Sequence, residues 1–338
     1  MISPSGKDKL LIVQDASGYN SWSFVQPIGK TLVCAYSRGD AHSISETCRG
    51  VYARRSLDGG LNWQAETTVV NTATHGESAI GKGLDLEGAM LLWVRCVGSP
   101  WRHDLYRSAD GSSFERIATL QPNPMPMQIT DVFHTGDGML MSLWFAGNYR
   151  SVAEHSWGTL TSRDNGHTWS QRTVEQGLSK EEWPTEPSCV PLGDGRIIAI
   201  ARMENCGVEV NSSQFQLESD DNGRTWRKSR TRIDDVCEST PSLVWDARSG
   251  LLSNYYYQRG AGVLKRRTVA LSRIWNHPET WPAPEIVCHA SANAHHAGNV
   301  NACAFGDCHV CTFYSGDEHQ TDVLLVLDRE CLPNKNAK

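Results

Sequence analysis

Ser162-Arg-Asp-Asn-Gly-His-Thr-Trp169 and Ser219-Asp-Asp-Asn-Gly-Arg-Thr-Trp226 are two copies of one pattern, S-x-D-x-G-x-x-W. Ser56-Leu-Asp-Gly-Gly-Leu-Asn-Trp63 is a third. Ser108-Ala-Asp-Gly-Ser-Ser-Phe114 is a fourth, one residue shorter and closed by Phe. A fifth, degenerate copy is expected from Ser272 to Trp281. The chemistry is that of a hairpin turn. Asp and Asn cap nearby backbone N–H groups, Gly supplies a positive φ, and the closing aromatic packs on the sheet. The leading serines stand at 56, 108, 162, 219 and 272, at intervals of 52, 54, 57 and 53 residues. A four-stranded propeller blade takes about 40–50 residues, so each interval reads as one blade with longer loops. The 338 residues then hold roughly six.

Short strand-like runs lie between these turns. Thr31–Tyr36, Met90–Arg95, Met139–Trp144, Arg196–Ala201 and His309–Tyr314 each follow a Gly or polar turn. No segment carries a helical period and none reads as a linker. The expectation is an all-β, six-bladed β-propeller in a single domain, 1–338.

Composition bounds the function. With 39% hydrophobic and 21% charged residues a normal core can form. No run of about 18 apolar residues exists, so no membrane span is expected. The start of the chain lacks the apolar core and small-residue cleavage site of a secretory signal. The eleven cysteines, an odd number, are mostly scattered and read as buried free thiols made in a reducing, cytoplasmic compartment. Cys308-His-Val-Cys311 is an isolated CxxC in a strand, where its two thiols face opposite sides, so no metal and no other cofactor is expected. A net charge of −6 and the lack of a basic cluster argue against nucleic acid. An acidic ligand would need a local cationic pocket.

One segment can supply part of that pocket. Thr185-Glu186-Pro187-Ser188 runs through the Gly193-Asp-Gly195 turn to Arg202. Antiparallel neighbours joined by a tight turn bring their far ends together, so Glu186 and Arg202 can share a site. A guanidinium fork pairs bidentately with a carboxylate, and a carboxyl group beside it can relay protons. The stretch from Thr240-Pro-Ser-Leu-Val244 to Arg259 echoes this segment one repeat later.

The repeated turns look like Asp-boxes, and the chain resembles the sialidase (neuraminidase) superfamily over essentially its whole length. The resemblance implies cleavage of glycosides of sialic acid or a related acidic nine-carbon sugar. It implies that Glu186 lies beside the catalytic centre and that Arg202 is one of three arginines clamping the substrate carboxylate. A second arginine is either Arg259, by the echo just noted, or Arg266, which precedes a strand of the T-V-x-x-S type. The family's F-R-I-P motif is replaced by Tyr19-Asn-Ser-Trp22, so the first arginine is lost unless Arg38 supplies its charge. Asp40 stands near the place of the family's acid aspartate. The nucleophilic tyrosine is also missing, its region reading Asn293 to Asn301. Phage endosialidases share these losses and rely on a Glu, two Arg, a Tyr and a His. The matching positions here are Glu186, Arg202, Arg259 or Arg266, Tyr19 and His42, in keeping with a phage-associated protein. The implied mechanism uses Glu186 as acid/base, Asp40 or His42 in support, and direct attack by water with inversion. Exo against endo cleavage and oligomeric state stay open. The rival reading is a non-catalytic sialoglycan-binding propeller, favoured by the loss of the first arginine and the nucleophile.

Overall fold

The computed structural model describes residues 10–42, 49–149, 154–204, 213–236, 239–293 and 296–331. The fold is all-β, and its strands follow one another as antiparallel meanders. The first group is Tyr19–Ile28, Thr31–Gly39, Gly50–Ser56 and Thr67–Val70. The second is His75–Leu84, Met90–Gly98, Arg102–Ser108 and Glu115–Leu120, and the third is Gln128–His134, Leu140–Ala146, His155–Ser162 and Ser170–Leu178. The fourth runs from Pro184–Gly193 through Arg196–Met203 and Gln214–Ser219 to Arg227–Arg230. The fifth is Ser242–Asp246, Leu251–Gln258, Val263–Ala270 and Glu285–His289. The last is Ala297–Phe305, Cys308–Gly316 and Thr321–Asp328, and the amino-terminal strand Leu11–Gln14 pairs antiparallel with its outer edge.

The groups are not six isolated sheets. A parallel bridge between Tyr19 and Thr321 joins the first group to the last, and one between Gly83 and Val132 joins the second to the third. The pairing therefore gives two eight-stranded and two four-stranded sheets. The bridge at Gly83 needs glycine, because a Cβ there would lie 2.0 Å from the Val132 carbonyl oxygen. Side chains from neighbouring groups fill the space between them. Phe145 and Trp157 of the third, for example, pack with Ala199 and Phe215 of the fourth.

The recurring turns have the chemistry read from the sequence. Ser162 Oγ donates to Asp164 (2.9 Å) and accepts from the Gly166 amide (2.9 Å), while Asp164 accepts from the Thr168 amide (2.8 Å) and hydroxyl (2.6 Å). Ser219, Asp221, Gly223 and Thr225 repeat the same four bonds. Trp169 and Trp226 each donate their indole N–H to the turn glycine's carbonyl. The fifth copy is a correction. Residues 271–281 contain a helical turn (Leu271–Ile274) and a 3-10 turn (Pro278–Thr280), because no Asp–Gly pair is present to close a hairpin. Trp281 is buried there and donates to Gln216.

The eight described cysteines are free and buried. Among the described residues no helix is long and apolar enough to cross a membrane. Two buried histidines set an acid limit. Burial holds His103 and His309 down to about 4, against about 6.5 in an unfolded chain. Each folded value lies below the unfolded one, so the stability they contribute is complete above pH 6.5 and is lost as pH falls toward 4. We predict that the urea midpoint falls steeply between pH 6.5 and 4.5. A midpoint flat over that window would contradict the neutral, buried state of both rings.

Candidate functional site

Several first strands carry a bulge at the same depth. In Tyr19–Ile28 the register shifts between Ser21 and Phe24, in Pro184–Gly193 between Thr185 and Ser188, and in Ala297–Phe305 between Gly298 and Asn301. Each bulge holds a residue in the left-handed region: Trp22 at φ 48°, Glu186 at 47° and Asn299 at 50°. That conformation is uncommon for residues other than glycine and costs of the order of 1–3 kcal/mol. Bulges re-aim side chains, and all three residues line one cleft. The rest of its wall includes Arg95, Asp131 and Thr240.

Glu186 and Arg202 meet as strand partners should. Thr185 pairs with Arg202 across the hairpin, and Arg202 Nη1 donates to Glu186 Oε2 at 3.3 Å. Thr240 donates to the same oxygen at 2.8 Å. Glu204 holds the other side of the guanidinium, with Nη2 to Oε2 at 3.1 Å, and is itself fixed by the Thr185 hydroxyl at 2.7 Å. All three ionisable groups are buried. The phenol of Tyr149, whose ring lies 5.9 Å from the Arg202 guanidinium carbon, is pushed up by burial and then by the charges of Glu186 and Glu204.

Arg259 comes from the end of Leu251–Gln258 and reaches the neighbouring bulge. It donates to the Ala297 carbonyl (2.8 Å), Asn299 Oδ1 (2.8 Å) and the Tyr314 hydroxyl (3.0 Å). Tyr314 packs against Tyr19 at 6.2 Å between ring centroids. The Tyr19 hydroxyl lies 3.1 Å from His42 Nδ1 and 2.9 Å from His296 Nδ1. Burial raises the Tyr19 phenol, with Tyr314 adding to the rise and Arg259 and Arg49 opposing it. Tyr314 in turn feels Arg259, Glu186 and Arg202, so the two halves form one electrostatic unit.

The structure therefore brings Glu186, Arg202, Arg259, Tyr19 and His42 to one region. It does not bring Arg266 or Arg38 there. Arg266 lies on the third strand of its sheet, bound to Asp328 and Glu285, and Arg38 is bound to Glu66 (2.5 Å) with its guanidinium carbon 4.7 Å from the Tyr52 ring centroid. Their strand positions point them away from the cleft, which sequence spacing alone did not reveal. Asp40 is exposed, just past the strand that ends at Gly39. Glu46, the next acidic residue after Asp40, and His295, in the Asn293–Asn301 region, lie outside the described residues.

Sequence reasoning missed Arg95, Glu204, Tyr149 and Tyr314. Arg95 closes the run Met90-Leu-Leu-Trp-Val-Arg95, so a charged residue ending an apolar strand was its available signal. It is 1% exposed, donates from Nη1 to the Met127 carbonyl (3.0 Å), and burial lowers it to about 10. Its Nε has no hydrogen-bond partner among the described residues. No three His, Cys, Asp or Glu side chains converge as a metal would need, among the described residues.

The sequence profile of the BNR repeat-like domain matches residues 30–291, and the chain belongs to that family. No curated protein sequence matches it. Its fold is similar to that of a protein of unknown function from Dyadobacter fermentans, with a TM-score of 0.75, 14% identity, and 94% of this chain and 98% of that one covered. It is also similar to Trypanosoma rangeli sialidase, with a TM-score of 0.67, 12% identity and 96% of this chain covered. The phage phi92 endosialidase gives 0.68 at 11% identity, with 98% of this chain and 70% of that one covered. This chain spans 60% of the trypanosomal enzyme's length. The chain is thus a BNR repeat-like protein whose fold is similar to that of solved sialidases.

Proposed function

We propose that this protein is a glycoside hydrolase of the sialidase kind, acting on glycosides of sialic acid or a related acidic sugar. In this reading the six strand groups are blades of one closed propeller. The run of contacts between first strands supports closure, since Tyr19–Ile28 touches both His75–Leu84 and Ala297–Phe305.

The observation that carries the reading is a pair of buried cations. Arg95 and Arg259 are 1% and 7% exposed, and among the described residues neither has a carboxylate within ion-pair distance. A buried charge without a counter-ion costs several kcal/mol, so such groups are retained where a ligand supplies the opposite charge. Both border the cleft that holds Glu186, Arg95 in its wall and Arg259 through its bond to Asn299. The roles follow from that placement. Arg202, Arg259 and Arg95 hold the sugar carboxylate, and Glu186 acts as acid/base. Tyr19 and His42 assist proton transfer. The last bulge holds Asn299, and no tyrosine stands between Asn293 and Asn301, so water attacks the anomeric carbon directly and the product is inverted.

Sialyllactose and polysialic acid followed by NMR test this. A retained anomer would sink the direct attack, and the absence of product from every acidic glycoside would sink the hydrolase. The second reading, a sialoglycan-binding propeller, is favoured by the same Asn299 and by the engagement of Glu186 with Arg202 and Thr240.

The charge argument has its own test. Arg95→Met removes a buried guanidinium and keeps the apolar stem. Affinity for free sialic acid should fall about tenfold or more, a loss of roughly 1.4 kcal/mol or greater. The thermal midpoint should hold or rise, since a buried charge with no ion-paired carboxylate among the described residues leaves the interior. A lower midpoint with unchanged affinity would make Arg95 structural.

A further inference from the structure

The Tyr19 hydroxyl has one proton and two imidazole neighbours. Its oxygen lies 3.1 Å from His42 Nδ1 and 2.9 Å from His296 Nδ1. Both distances are within hydrogen-bond range. A neutral phenol can donate to only one of these nitrogens. The other bond forms only if that imidazole donates from Nδ1. Full bonding therefore requires the two histidines to differ: one carries hydrogen on Nδ1, and the other has Nδ1 bare. Burial keeps the phenol neutral, so the oxygen is not an anion receiving two donors.

The two rings sit in different surroundings. His42 packs on Trp22 with ring centroids 5.5 Å apart, and Trp22 lines the cleft. His296 immediately precedes the strand that starts at Ala297, on the side of the exposed Asp317, whose carboxylate feels its charge. Tyr19 is fully buried between them. Among the described residues, the charged or titratable groups that face the trio include Arg259 and Arg49, both acting on Tyr19, and Tyr314, whose ring is 6.1 Å from that of His42.

We propose that His42, Tyr19 and His296 form a proton relay between the cleft and the rim, with His296 as the positioning residue that decides which nitrogen of His42 carries hydrogen. The step balances without any other reactant. A proton arrives at the bare Nε2 of one imidazole, and that ring's Nδ1–H passes to the phenol oxygen. The phenol's own proton moves to Nδ1 of the second imidazole, whose Nε2–H leaves. Tyr19 stays a neutral phenol, and the relay ends set for the reverse direction. A first added proton is accommodated, because a cationic imidazole donates to the phenol and the phenol to its neutral partner. A second is opposed, since both Nδ1 atoms then donate, the phenol proton loses its acceptor, and two cations stand 6.4 Å apart near Arg259 and Arg49. The inference deepens the reading of this site as acid/base machinery but is tested without substrate.

The experiment is two-dimensional long-range ¹H–¹⁵N NMR on the full chain labelled at histidine, with His42→Gln and His296→Gln giving the assignments. At pH 8 one of the two rings should be the Nδ1–H tautomer and the other Nε2–H. On acidification the pair should titrate in two steps separated by more than about one pH unit, as coupled sites do. In Tyr19→Phe both rings should revert to Nε2–H, and in His296→Gln the remaining His42 should titrate in a single step. The buried His103 signal reports that each variant is folded. Two Nε2–H rings in the wild type, or tautomers that Tyr19→Phe leaves unchanged, would overturn the relay. Because no substrate enters, a hydrolase reading that fails on glycosides leaves this result standing, and the reverse also holds.

Discussion

Glu186→Gln is expected to lower turnover of a sialoside by about 10²–10⁴-fold, the range that a positioned acid/base group contributes. Binding should stay within a few fold. The substitution keeps size and shape. The amide oxygen can still accept from Arg202 Nη1 and from the Thr240 hydroxyl, the two donors that now share Oε2. What is lost is the ability to give and take a proton beside the anomeric carbon. The charge change also frees part of Arg202, which Glu204 continues to hold at 3.1 Å, so the guanidinium stays in place. Steady-state kinetics on sialyllactose and titration calorimetry with free sialic acid separate the two effects. Turnover equal to wild type would remove Glu186 from the chemistry. Wild type and variant that bind equally and turn over nothing would establish the binding propeller instead.

Trp183→Ala should cost about 3–5 kcal/mol of stability, in the range for truncating a large buried aromatic. Trp183 is fully buried, stacks on His155 at 4.2 Å between ring centroids, and packs edge-on against Phe145 at 5.6 Å. Its indole N–H donates to the Ser156 carbonyl at 3.1 Å, so truncation also strips a buried acceptor of its donor. The residue stands directly before the Pro184–Gly193 strand and three positions from Glu186, so the cavity opens at the base of the bulge that presents the carboxylate. Trp183→Phe keeps most of the packing and loses the hydrogen bond, and should cost clearly less. Guanidinium unfolding midpoints measure both. A loss below about 1.5 kcal/mol for the alanine variant would mean that the neighbouring Tyr149 and Phe145 collapse into the space.

How much of this was legible beforehand depends on the range of the interaction. The Asp-box turns are local. Ser, Asp, Gly and Thr or Asn within six residues satisfy one another, so Ser162–Thr168 and Ser219–Thr225 could be read directly. The meeting of Glu186 and Arg202 was legible for a related reason, because a tight turn between antiparallel strands sets the register of everything above it. The fifth repeat failed because its spacing survived while the residues that make the turn did not. Arg266 and Arg259 could not be separated by spacing, since each lies at the end of a plausible strand. Only the pairing of Tyr255 with Arg266 puts the latter two strands out, beside Asp328.

The sequence by itself determined the repeat, the strand-rich scaffold and the family, since these rest on contacts between residues close along the chain. The tertiary structure decided the composition of the cleft. Trp22, Glu186 and Asn299 are far apart in the chain, yet equivalent bulges turn them to one place. Arg95 became a candidate only once its burial with no ion-paired carboxylate among the described residues was visible, and His296 only once its ring was found on the Tyr19 hydroxyl, 277 positions away. Burial and long-range proximity are properties of the packed chain, and no local pattern encodes them.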